Sequence, residues 1–103
     1  MVEEPESTLQ EAHRLVYGDR GEDYGHPSDD YGRTVAIFNA WTGHNLSTLD
    51  GVRFMHAVKL SRQIESPTKR DHYVDASGYM DCSWQVIERD QASQPVDLPA
   101  THN

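Results

Sequence analysis

Apolar residues recur along the chain at three- and four-residue spacing, the period that lines one face of an α-helix, and no strand-like alternation stands out. Leu9, Ala12 and Val16 set the first stripe, predicting a helix over about Leu9 to Tyr17. Ser7 with Gln10 three residues later can form a capping box at its start, and Gly18 is placed to end it. A second stripe, Tyr31, Val35, Phe38 and Trp41, follows Ser28 as expected N-cap, with Asp29 and Asp30 suited to the positive end of the helix dipole. Gly43 closes that helix. Ser47 or Thr48 opens a third, through about Ile64, with Asp50 in its first turn. Val52, Met55, Val58 and Ile64, flanked by Phe54 and Leu60, make it the element expected to be most buried. Ser66-Pro67 ends it, because the residue before proline is pushed out of the α region. Thr68 and Asp71 signal a fourth helix from about Lys69 to Arg89, packing through Val74, Gly78, Met80, Trp84 and Ile87. The short link predicts that the third and fourth helices form an antiparallel pair.

Two segments fall outside this pattern. Gly18 to Pro27 sets three glycines and a proline among charges and reads as a loop, long enough in so small a domain to be the first place to look for a site. Gln91 to Asn103 is polar, with Pro95 and Pro99, and reads as a disordered tail. The predicted fold is all-α: a small four-helix bundle over residues 1–90, followed by a polar tail over 91–103.

Composition narrows the function. A chain of 103 residues has room for one core, and with 36% hydrophobic residues that core is thin, so completion across a subunit interface, as a homo-oligomer, is expected. No apolar run approaches the roughly 18 to 20 residues of a membrane span. The acidic start lacks the cationic and apolar regions of a secretory signal, and a cytoplasmic location is expected. A formal net charge of -8 repels a phosphate backbone at long range, which disfavours sequence-independent nucleic-acid binding but leaves a local basic pocket open. Cys82, the single cysteine, cannot form an intramolecular disulfide, and a packed, inert thiol is expected. The six histidines show no zinc spacing. Neither a Gly-x-Ser-x-Gly elbow nor a phosphate loop ending in Gly-Lys-Ser/Thr is present, which excludes serine-hydrolase and P-loop readings.

The residues that could carry chemistry cluster on the last two helices and the loop. Asp71, Asp75 and Tyr79 follow a spacing of four and so share one side of the fourth helix, with Gly78 on the neighbouring strip, where a missing side chain permits close approach. Lys59 and Arg62 share a face near the end of the third helix, and the antiparallel turn brings them toward Asp71 and Asp75. Such a cluster is either an ion-pair network that aligns helices, or a polar pocket in which cations hold a phosphate while carboxylates hold Mg²⁺ or orient a water. The loop adds Asp23 and His26 as possible ligands and Tyr24 as a ring that could stack on a base; equally, Tyr24 could cover the bundle's end and Asp23 cap a turn.

Taken together, Glu22-Asp23-Tyr24-Gly25-His26-Pro27, Lys59-Leu60-Ser61-Arg62 and Arg70-Asp71-His72-Tyr73-Val74-Asp75-Ala76-Ser77-Gly78-Tyr79 resemble a group of small bacteriophage proteins, over roughly residues 9 to 89. That group is distantly similar to the MazG-like all-α nucleoside triphosphate pyrophosphohydrolases. The resemblance implies a helical bundle, often oligomeric, that holds a nucleotide and Mg²⁺ between helices. MazG-like enzymes bind the metal with a Glu-Glu-x-x-Glu run and a Glu-x-x-Asp pair. Here Lys59 and Arg62 stand where the first run would be, and only Asp75 matches the second, with His72 in place of the glutamate and Asp71 one position earlier. The first functional reading is therefore a nucleotide-handling protein. In it Lys59 and Arg62 contact phosphates, Asp71 and Asp75 serve as metal or water ligands with Asp23 or His26, and Tyr24 or Tyr79 lies against the base. The second is a non-enzymatic acidic module that binds a host protein.

Overall fold

Capping chemistry sets most helix boundaries in the computed structural model, which describes residues 4–93. Ser7 and Gln10 close the expected capping box on α1 (Thr8–Tyr17), and the Gly18 N–H ends it by donating to the Arg14 carbonyl. The following stretch is not a loop: Asp19–Tyr24 forms a six-residue helix, α2, with Asp19 and Glu22 in its first turn. Two of the three glycines that suggested a loop lie at its ends, where they cap rather than break, and Gly25 stops it at φ +77.

The next helix, α3 (Pro27–Thr42), is capped by His26 and not by Ser28. Pro27 takes the first helical position, where a missing N–H costs nothing, and the Ser28 N–H donates to His26 Nδ1 at 3.0 Å. Gly43, at φ +75, closes α3 in the left-handed region. Ser47 and Asp50 form a second capping box on α4 (Thr48–Glu65). The last helix, α5 (Asp71–Ser93), starts two residues later than expected, the Val74 N–H reaching the Arg70 carbonyl at 3.1 Å. It also runs further, so positions 91–93, expected to begin the tail, are helical; the remainder of that tail, 94–103, lies outside the described residues. Among the described residues there is no strand, and no helix is long and apolar enough to cross a membrane.

Helices α1, α3 and α4 all pack on α5, and α3 also crosses α4. The α4–α5 pair is antiparallel, as its ties show: Gln63 Nε2 donates to the His72 carbonyl at 3.1 Å, and one turn earlier Lys59 meets Asp75. Val16, Tyr31, Val52, Tyr79, Cys82 and Val86 form the core. This places the deepest burial on α5, with eight buried residues, whereas α4 buries only Gly51 and Val52. A side chain at Gly51 would put its Cβ 2.6 Å from Val35 Cγ1, so the crossing of α3 and α4 depends on that glycine. Several residues expected inside are exposed, among them Phe38, Trp41, Phe54, Ile64, Met80 and Trp84. Periodicity locates a helix and its apolar stripe, but does not say whether another helix of the same chain is there to cover it.

Candidate functional site

The short Gly18 link folds α2 back over α1 and α5, and a cleft of about 240 Å³ opens between the three. Asp19, Arg20, Asp23 and Tyr24 form one wall, since positions one and four or five apart share a side of α2. Asp75, Gly78, Tyr79 and Cys82, at helical spacing on α5, form the other. Gly78 lets α1 come close beneath the cleft: a Cβ there would lie 3.3 Å from Val16 Cγ2.

Arg20 organises the interior. Its guanidinium carbon lies 5.4 Å from the Tyr24 ring centroid, 5.8 Å from Tyr31 and 5.7 Å from Tyr79, within cation–π range of all three. Its Nη2 donates to the Tyr31 hydroxyl at 2.6 Å, and Asp30 approaches to 3.8 Å. Tyr31 and Tyr79 meet edge to face. Burial, and then the neighbouring Tyr79, push the Tyr31 phenol above its ordinary range, so it stays protonated and can accept from Arg20. A guanidinium carries five N–H donors, and the Tyr31 hydroxyl uses one of them.

Burial likewise pushes the Cys82 thiol up to about 11. Only about one molecule in a thousand would carry the thiolate at pH 8, and the thiolate is the nucleophile. Cys82 in the native protein is accordingly expected to react with a disulfide reagent at least tenfold more slowly than in urea; equal rates would show that the cleft floor is open.

The other sequence-derived candidates divide between the cleft and its surroundings. Asp23, Tyr24, Asp75 and Tyr79 line it together. Lys59 stands behind Asp75, with Nζ at 2.7 Å from Oδ2, so this cation is engaged in the interhelical ion pair that the sequence left as one of two alternatives. Arg62 and Asp71 are exposed and outside the cleft lining, Asp71 one turn before Asp75. His26 is spent on the α3 cap.

Desolvation, followed by the charge of Arg89, lowers the His26 pKa from its ordinary 6.5. The sign follows from linkage: the native state resists the proton, so the stability gained is complete above 6.5 and is lost as pH falls through the lowered native value. His26→Asn, which keeps a capping side chain without titrating, is expected to show a smaller drop in urea midpoint between pH 7.5 and pH 5.5 than the parent protein. Equal drops would remove His26 from the acid response.

Three carboxylates, Asp19, Asp23 and Asp75, border the cleft, but the expected metal set of Asp71, Asp75 and Asp23 does not converge. Among the described residues no three His, Cys, Asp or Glu side chains come together closely enough to hold a metal ion. The residues do not by themselves fit a resident Mg²⁺. Sequence reasoning missed Arg20 and Asp19. The available signal was the Arg20–Tyr24 spacing of four, which has meaning only if the segment is helical.

The chain matches, over residues 7–87, the family model described as a domain of unknown function, DUF6378. It is 30% identical over 90 residues to the Gene 55 protein of Mycobacterium phage D29, an alignment covering 87% of this chain and 60% of that protein. The match thus spans less than two thirds of the relative's length. No solved structure matches it.

Proposed function

The chain belongs to the DUF6378 family, and we propose that its α1–α2–α5 cleft binds a nucleotide. The observation that carries this reading is the guanidinium of Arg20 held among three tyrosine rings in the wall of an open, acid-bordered cleft. A planar base would lie against Tyr24, which is 53% exposed, rather than Tyr79, which is buried in the core, with Asp19 and Asp23 accepting from the base's amino and imino hydrogens. At about 240 Å³ the cleft is smaller than sites for drug-sized ligands, about 300–1,000 Å³, which suits a base and leaves the phosphates at the mouth. Arg20 takes the anion-contacting role first given to Lys59 and Arg62, because Lys59 is already paired and Arg62 lies elsewhere.

Kinship with the MazG-like pyrophosphohydrolases is part of this proposal. What supports it is the all-helical architecture and the position of Asp75 on the helix lining the cleft. Binding is the activity the side chains themselves support; turnover through Mg²⁺ would need ligands beyond those that converge here. Isothermal titration with a panel of ordinary and base-modified nucleoside mono-, di- and triphosphates, with and without Mg²⁺, tests the reading. A dissociation constant below a millimolar for at least one nucleotide is expected, and its loss in Tyr24→Ala, a substitution at an exposed residue of the cleft wall. Absence of binding by every nucleotide at millimolar concentration would contradict it.

A further inference from the structure

From Thr34 to Leu49 the chain carries no charged side chain, a run of sixteen positions in a protein where charged residues make up 25%. In the fold this run is an arm. Val35 is the last buried residue of α3, and from Ala36 to Asn45 every residue is exposed except the half-buried Asn39. The arm is held by its own contacts: Asn39 Nδ2 donates to the Leu46 carbonyl at 3.0 Å, and Asn39 Oδ1 accepts from the Leu46 N–H at 2.9 Å, folding the chain after α3 back along the helix. Ile37, Phe38 and Trp41, at helical spacing, form an apolar stripe on it, with Trp41 80% exposed. Phe54, Leu60 and Ile64 stand exposed on α4, which crosses α3 just before the arm begins.

We infer that the arm is covered by a second copy of the chain, the two α3 arms packing against each other about a two-fold axis. A helix end left in water ordinarily carries charges, and its single large apolar residues are scattered; an uncharged arm with a continuous stripe marks an interaction surface. A two-fold contact sets a surface against itself, so like charges there would repel, and this run has none. The absence of cations argues equally against nucleic acid, whose phosphates need them. At roughly 200 Å² for a large side chain, the exposed parts of Ile37, Phe38 and Trp41 supply about 350 Å² of the ~800 Å² per partner of a stable interface, with the other exposed positions between Ala36 and Asn45 around them.

Light scattering coupled to gel filtration at about 50 μM tests this without any nucleotide, so its outcome is separate from the reading of the cleft. The expected mass is twice the 11.7 kDa of the chain. The double substitution Ile37→Lys, Trp41→Lys is expected to halve that mass while leaving the helical circular dichroism unchanged, since both residues are exposed in the isolated chain. A matched control, Leu9→Lys with Trp84→Lys on the α1–α5 side, is expected to leave the dimer intact. A parent protein that runs as a monomer at this concentration would overturn the inference, including one that is captured by a foreign protein instead. So would an assembly that the control dissociates and the arm variant does not.

Discussion

Replacing Arg20 by methionine is expected to weaken the nucleotide binding proposed for the cleft at least a hundredfold and to destabilise the fold by about 2.5–6 kcal/mol. The stability loss has two sources. The Tyr31 hydroxyl, on a residue 4% exposed, loses its hydrogen-bond partner, which costs roughly 1–3 kcal/mol. The contacts between the guanidinium and three rings, about 0.5–1 kcal/mol each where partly exposed, go with it. Methionine keeps much of the apolar stem and so limits the packing change. Urea denaturation and titration calorimetry separate the two effects. Adding Tyr31→Phe to the methionine variant removes the orphaned hydroxyl and is expected to restore about 1 kcal/mol of stability without restoring binding. If the methionine variant binds nucleotide as the parent does, Arg20 is a structural clamp and nothing more.

The second large effect is expected at Val52, which has no exposed surface. Val52→Ala removes two methyl groups from the centre of the core and is expected to cost about 2 kcal/mol, a fall in melting temperature of roughly 8–16 °C for a domain of this size. Leu60→Ala, on the same helix but about half exposed, is expected to cost well under half as much. Thermal melts of the two variants side by side check this. Comparable losses would mean that α4 is buried in the way its composition first suggests, and not at its first turns alone.

That contrast shows where the sequence was legible. Local chemistry was read correctly where it decides the matter locally: the Ser7–Gln10 box, a helix start at Ser47 or Thr48 with Asp50 in the first turn, Gly18 and Gly43 as stops, and the break before Pro67 all stand. The antiparallel α4–α5 pairing followed from a short link, and with it the meeting of Lys59 and Asp75. Errors arose where long-range contacts override local preference. Asp19–Tyr24 contains a glycine and reads as a loop, yet the helix sets Arg20 against Tyr24 within it and against Tyr31 and Tyr79 beyond it, contacts that local preference does not register. His26 and Pro27 together start α3, a signal that attention to Ser28 obscured.

The candidate site followed the same division. The α5 strip of Asp75, Gly78 and Tyr79 was visible from spacing alone, and the structure brings it against Asp23 and Tyr24. Asp71 and Arg62 share that spacing logic but sit beyond the reach of α2, which only the fold reveals. Arg20 is the residue that links these halves, and its significance depends on Tyr24 and Tyr31 nearby in the chain and on Tyr79 far from both.

Amide chemical-shift mapping during a nucleotide titration tests the central assignment most directly. The account predicts saturable shifts concentrated at Arg20, Asp23, Tyr24, Asp75 and Tyr79, with the α3 arm unaffected at constant protein concentration. Shifts confined to other surfaces, such as the Leu9–Trp84 groove, or a spectrum unchanged at millimolar nucleotide, would contradict it.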